Sequence, residues 1–271
     1  MTPKIYRYQL FYPSGNDTAI VYGTDFSATE QLQINNAIMD RHPNVEQVGF
    51  VSVNTLTPIF FMAGGGFCGN GFRSAVWHFL QGVPSTIQIT IPNIAGNVLG
   101  GISNDGNVWV EVPRPEIIRV IHIEEGLSLV ELIGVSHIVV SPAKSRSIIF
   151  LDEEERCSSA KKLLEQVGLI ERVTCGVIYT QKTEKGYRIV PCVHDLGVDT
   201  MKQETACGTG SIAAVIAISV IQRKSVSLMV EQPSGERISA SVKLSNGRIQ
   251  RAIISGKVKS DGEIYTGAII I

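Results

Sequence analysis

The 271 residues carry 24 Lys or Arg against 25 Asp or Glu, a formal net charge of -1, with no run of five like charges, so the sequence lacks the basic footprint of a nucleic-acid or acidic-membrane binder. Hydrophobic residues at 44% and charged residues at 18% are globular proportions, and a chain of this length suggests two domains of roughly 130 residues, each able to bury a core. Residues 1–10 include Lys4 and Arg7 and lack the apolar centre of a secretory leader, and the most apolar run, Ile212 to Ile221, is about half a membrane span, so a cytoplasmic protein with a small polar substrate and no membrane partner is expected.

In chain order, Val48 to Val53 reads as a short apolar strand. Phe67-Cys68-Gly69-Asn70-Gly71 then opens a helix in which Phe72, Ala75, Val76, Phe79 and Leu80 share one face, with Arg73, Ser74, Trp77, His78 and Gln81 toward the other; Gly82 and Pro84 stop it. The runs Ile87 to Ile91 and Val98 onward flank Gly96 as a hairpin, and Asp105-Gly106 makes the next turn. Pro113-Arg114-Pro115 is a natural linker, because proline lacks the ladder donor, and it places a switch between two halves near residue 115. Asp152 to Gln166 reads as an amphipathic helix whose Glu153 to Glu155 crowd its positive end, and Gly176 to Thr180 as another apolar strand. Ala206-Cys207-Gly208-Thr209-Gly210 opens a second Cys-Gly-x-Gly helix, apolar all round from Ile212 to Ile218, as a helix enclosed by sheet must be. A hairpin about Gly235 joins Val226 to Val230 with Ile238 onward, and Asn246-Gly247 turns the chain again.

The two Cys-Gly-x-Gly segments are copies. Their offset, 207 − 68 = 139 residues, also carries Gly96 onto Gly235, so the repeat extends beyond the cysteines. The expected fold is α/β (α+β): two pseudo-symmetric halves, 1–115 and 116–261, each a mixed sheet or barrel wrapped around a central helix.

A duplicated helix start bearing a thiol suits proton transfer at a carbon flanked by a carboxylate. The first-turn N–H groups lack intrahelical partners and the helix dipole is positive there, so a carboxylate docks on them and its enediolate gains more. The same field is expected to lower the cysteine pKa and yield a thiolate base near neutral pH. One thiol on each side of a cleft, one ionised and one protonated, then inverts an α-carbon without pyridoxal phosphate or any metal.

Other motifs carry less. The cysteines at 68, 157, 175, 192 and 207 include no CxxC pair and no zinc spacing, and Cys157, Cys175 and Cys192 read as core or surface residues. Gly64-x-Gly66-x-x-Gly69 formally matches a dinucleotide loop but lacks the acidic residue about twenty positions on, and no Gly-Lys-Ser/Thr phosphate loop is present. The histidines at 42, 78, 122, 137 and 194 are scattered in the sequence.

At Phe67-Cys68-Gly69-Asn70-Gly71-Phe72-Arg73 and Glu204-Thr205-Ala206-Cys207-Gly208-Thr209-Gly210 the chain resembles the diaminopimelate epimerase family of pyridoxal-independent racemases. The resemblance implies two pseudo-symmetric domains with a last strand, about 262–271, returning to the first. It makes Cys68 and Cys207 proton donor and acceptor, Asn16 and Gln47 substrate contacts, and Gly69-Asn70 with Gly208-Thr209 the α-carboxylate site. Where those epimerases carry Asn-Pro-His this chain has Val135-Ser136-His137, and where they carry Glu-Arg it has Val198-Asp199. Such a site should reject diaminopimelate, whose distal charges would be buried unpaired. The chain is more similar to the histidine racemases of opine-metallophore (staphylopine-like) pathways, through Tyr12-Pro13-Ser14-Gly15-Asn16, Glu46-Gln47-Val48-Gly49-Phe50, Phe67-Cys68-Gly69-Asn70 and Gln232-Pro233, although Arg73 and Thr205-Ala206 follow the epimerase pattern. Histidine is therefore the expected substrate, with Glu46 or Asp199 accepting from a substrate nitrogen. The alternatives are diaminopimelate epimerase and, from another class, a noncatalytic ligand-binding or thiol redox protein; a homodimer is expected from frequency alone.

Overall fold

The computed structural model describes residues 3–52, 56, 58–63, 65–92, 97–184, 186–197 and 200–270. Gly64, the turn at Gly96, and Val198-Asp199 lie outside the described residues.

The first half runs β1 (Pro3–Tyr12), β2 (Asp17–Tyr22), α1 (Ala28–Arg41), β3 (Val45–Val51), β4 (Phe60–Met62), α2 (Gly69–Leu80), β5 (Ser85–Thr90), β6 (Asn97–Ile102) and β7 (Val108–Glu111). The turn between β1 and β2 holds Ser14 (φ 69°), Gly15 (φ 96°) and Asn16 (φ 57°) in the left-handed region. Non-glycine residues on both sides of that glycine persist in this region only where their surroundings fix them, and this turn leads into the site described below. Ser27 opens α1 with a capping box: Glu30 N–H donates to Ser27 Oγ at 3.3 Å and Ser27 N–H to Glu30 Oε2 at 2.6 Å.

The second half runs β8 (Arg119–Glu124), β9 (Leu127–Leu132), β10 (Val135–Val140), α3 (Pro142–Ser145), α4 (Glu153–Gln166), β11 (Thr174–Thr183), β12 (Gly186–Asp195), β13 (Thr200–Gln203), α5 (Gly208–Gln222), β14 (Val226–Glu231), β15 (Arg237–Ser245), β16 (Arg248–Gly256), β17 (Lys259–Ser260) and β18 (Tyr265–Ile270). Asp152 caps α4 through a second capping box with Glu155. No helix among the described residues is long and apolar enough to cross a membrane.

The mixed α/β fold expected from the sequence is the one observed. One sheet has the order β17-β1-β2-β3-β4, with β18 also on β1, and is parallel at β2/β3. The other has the order β5-β6-β7-β16-β15-β14-β12-β11-β10-β9-β8, with β13 on β12. Hydrogen bonding therefore crosses residue 115 without a break, because β7 pairs antiparallel with β16, Val110 opposite Ile254. The helix α5 packs on β8 to β12 and on β14 to β16, which accounts for burial on every side from Gly208 to Ala217. Each of its fully buried Ile side chains, Ile212 and Ile216 among them, stabilises by about 1.5–3 kcal/mol.

The helix α2 departs from its expected two-faced character. Packed against β2, β3 and β4 and also against β5, β6 and β7, it buries every residue from Gly69 to Val76, so Arg73 and Ser74 are interior rather than on an open face. Only its last turns, with Trp77 and His78, are partly exposed.

Candidate active site

The two copies of Cys-Gly-x-Gly adopt the same local geometry. Cys68 (φ -117°, ψ 115°) is the N-cap of α2 and accepts from Gly71 N–H at 3.4 Å; Cys207 (φ -130°, ψ 106°) is the N-cap of α5 and accepts from Gly210 N–H at 3.2 Å. The far ends also match, with Gln81 and Arg223 in left-handed C-caps. The two helix starts abut. A Cβ on Gly69 would lie 3.4 Å from Gly208 backbone, and one on Gly208 would lie 3.2 Å from both Gly69 Cα and Asn70 N. A Cβ at Gly208 would press on Gly69 Cα and Asn70 N and displace the Asn70 carboxamide oxygen at 2.9 Å, and one at Gly69 would displace Ile254 Cδ1 at 2.6 Å, so glycine gives this approach its room.

Cys68 and Cys207 line one cavity of about 270 Å³. Asn16, Glu46, Gln47, Asn70, Gly208 and Thr209 line it as well; Gly69 abuts Gly208 but is not itself part of the lining. The Cys68 thiol donates to Gln47 Oε1 at 2.8 Å, and Gln47 Nε2 donates to Thr18 Oγ1 at 2.7 Å. Asn70 Nδ2 reaches across to Ala206 O at 3.1 Å. Cys207 Sγ lies 3.5 Å from Thr209 Oγ1, which in turn meets His137 Nε2 at 2.9 Å.

Glu46 is more committed than the sequence implied. Its carboxylate accepts from Thr205 N–H at 3.2 Å and from the Thr205 hydroxyl, and from Asn16 Nδ2 at 3.3 Å, while Asn16 N–H donates to Thr205 Oγ1 at 2.7 Å. These bonds tie the β1–β2 turn to the segment before Cys207. Asn16 Oδ1, by contrast, is buried with no hydrogen-bond partner among the described residues.

Glu204, Lys202 and His137 also belong to the site, although sequence reasoning assigned them no role. Glu204 lines the cavity and accepts from the Cys207 thiol; burial, first, and the Glu46 charge push its carboxyl up to about 7. The signal available was its place three residues before Cys207, where a side chain at the end of β13 returns toward the helix start. Lys202 donates to Glu46 O at 3.1 Å. Burial drops His137 to about 4, so its imidazole is neutral.

The expectation that the helix field alone yields a thiolate is corrected here. Burial pushes Cys68 up to about 12 and Cys207 well above the ordinary thiol value, with the Glu204 charge raising both, and these effects outweigh the amide donors at the caps. With protein groups alone around them both thiols are protonated, so a thiolate needs additional positive charge nearby. Among the described residues no group of three or more His, Cys, Asp or Glu is placed to hold a metal ion.

A family model described as the histidine racemase CntK N-terminal domain matches residues 6–265. No curated protein matches the chain by sequence. Among solved structures, a hydroxyproline epimerase from Agrobacterium vitis with bound trans-4-hydroxy-L-proline superposes with a TM-score of 0.62 at 14% identity, covering 98% of this chain and 93% of that one. A probable proline racemase from Agrobacterium radiobacter K84 gives 0.62 at 13% identity over the same shares, and a PhzF-family phenazine biosynthesis protein from Bacillus anthracis gives 0.62 at 14%, covering 99% of this chain and all of that one. At these identities the likeness is one of fold.

Proposed function

Because the chain belongs to the family of the histidine racemase CntK N-terminal domain and is an isomerase, we propose that it racemises histidine through two proton transfers, with Cys68 and Cys207 on opposite faces of the α-carbon. The observation that carries this reading is the pair of thiol-capped helix starts opening on a single cavity. The substrate carboxylate docks on the free amides of both first turns, about the Gly69/Gly208 contact, where negative charge builds in the enediolate. The ammonium is met by Asn16 Oδ1, which has no hydrogen-bond partner among the described residues, and by the Glu204 carboxyl. That ammonium is also the positive charge the thiols require. As it enters, Glu204, titrating near neutrality, takes the proton of Cys207, and the thiolate formed removes the α-proton. The Cys68 thiol then donates its proton to the other face; the reverse reaction exchanges the two roles.

Histidine is favoured over diaminopimelate by the part of the lining where Asn35, Asn36 and Asp40 offer polar partners to an imidazole; among the described residues the one cation in the lining, Lys202, already donates to Glu46 O. Incubation in deuterated water with individual amino acids tests the assignment: α-proton loss is expected from both enantiomers of histidine. Exchange on diaminopimelate with none on histidine would reassign the substrate, and exchange on no amino acid would remove the racemase reading.

A further inference from the structure

Arg73 is the largest side chain fully buried among the described residues. Among the described residues its hydrogen bonds go to neutral acceptors: one terminal nitrogen donates to Pro13 O at 2.8 Å and to Asn70 Oδ1 at 2.7 Å, the other reaches Lys257 O at 3.5 Å, and Nε has no partner. Burying a cation without a carboxylate is among the costliest arrangements a core can contain, and a methionine or leucine would fill this position without that cost. The three acceptors are not scattered. Pro13 heads the turn that presents Asn16, Asn70 lies in the first turn of α2 beside Cys68, and the Asn70 carboxamide held by Arg73 donates in turn to Ala206 O, next to Cys207.

We infer that Arg73 is a positioning residue: its buried guanidinium supplies the fixed counter-charge for an anion at the start of α2, the Cys68 thiolate or a docked carboxylate, and holds the Asn70 carboxamide that joins the two cysteine segments. Burial lowers the guanidinium to about 10, and Cys68 is the ionisable group whose charge works in the opposite direction. On the Cys68 side the strongest influences are burial and the Glu204 charge, which disfavour its thiolate, and the backbone amides of Gly71 and Asn70, which favour it; Arg73 is not among these strongest influences, and its place on the Asn70 carboxamide in the first turn of α2 is what links it to Cys68. The inference rests on Cys68 being a proton-transfer thiol, yet it is testable without substrate.

The experiment measures iodoacetamide alkylation of Cys68 and Cys207 separately, by peptide mass mapping, between pH 7 and 9.5 in the native protein and in the R73K, R73Q and R73M variants. Loss of a close opposite charge moves a thiol titration to more alkaline pH by about 1 to 3 pH units, so Cys68 in R73Q and R73M should react at least about tenfold more slowly at a given pH. R73K should stay near the native rate, and in R73Q and R73M Cys207, reached only through the Asn70 carboxamide, should slow by less than Cys68 does. The inference is overturned if Cys68 reacts in R73Q at the native rate or faster, if R73K and R73Q are slowed alike, or if both thiols accelerate together as a loosened core would cause. If R73M does not fold, the comparison of R73K with R73Q decides; if those two also fail to fold, Arg73 serves the fold alone and the inference falls. An absence of racemisation in the native protein would remove the functional reading while leaving this thiol measurement intact.

Discussion

Replacing Glu204 with glutamine changes one charge beside Cys207 and little else in volume. In the native protein the carboxyl is pushed from an ordinary 4.5 up to about 7, chiefly by burial. A raised value means that the folded protein holds this proton more tightly than the unfolded chain. The resulting stabilisation is full below pH 4.5, drains away as pH rises toward 7, and is gone above that, where both states are ionised. A shift of about 2.5 pH units at about 1.4 kcal/mol each sets a ceiling between about 3 and 4 kcal/mol, and the partial opening of this side chain to the cavity reduces the expected effect to about 2 kcal/mol. E204Q, neutral throughout, should therefore match the parent near pH 4.5 and exceed its stability by about 2 kcal/mol at pH 8. Urea unfolding of both proteins at the two pH values measures the difference directly. The same variant should lose at least about tenfold in α-proton exchange, because the amide cannot take the Cys207 proton. Identical pH dependence in parent and variant, or a variant less stable at pH 8, would refute the placement of the titrating group.

Serine at Cys68 or at Cys207 keeps the helix cap but not the acid/base chemistry, and each single variant should lose at least about a hundredfold in exchange with melting temperature nearly unchanged. Gly208→Ala would drive a Cβ to 2.9 Å from Asn70 Oδ1 and 3.2 Å from Gly69 Cα; thermal unfolding should show a loss of about 1–3 kcal/mol, with kcat reduced because the two helix starts are pushed apart. His137 is held neutral at a value near 4 against 6.5 in the open, so its stabilising contribution is present above pH 6.5 and is lost as pH falls toward 4. His137→Gln should retain up to about 3 kcal/mol more of its neutral-pH stability at pH 4 than the parent retains, read from denaturant unfolding at pH 7 and pH 4.

Much of this arrangement was legible in the sequence because it is local. Helix starts at Cys68 and Cys207, the acidic cap at Asp152, and the turns at Gly106, Gly235 and Gly247 are written in neighbouring residues, and the 139-residue offset ties the two thiols to equivalent positions. The Ser27-x-x-Glu30 signature announced α1 equally plainly, although no apolar run of strong helical period follows it and it drew no expectation. What periodicity could not show is long-range. The pairing of β7 with β16 leaves no mark in either strand, since both alternate as any half-buried strand does. Arg73 reads as a surface residue because nothing in the helix itself reveals that sheets cover it on two sides. The neutral thiols follow from burial in the assembled cavity, a quantity that a motif does not contain.

The glycine-to-glycine contact between the two helix starts sets the spacing of the Cys68 and Cys207 segments in backbone rather than in side chains. On the proposed reading, substrate range can drift where α1 contributes Asn35, Asn36 and Asp40 to the lining without disturbing the paired helix starts. Redesign for a larger or differently charged amino acid should accordingly begin on that helix and leave the paired helix starts untouched.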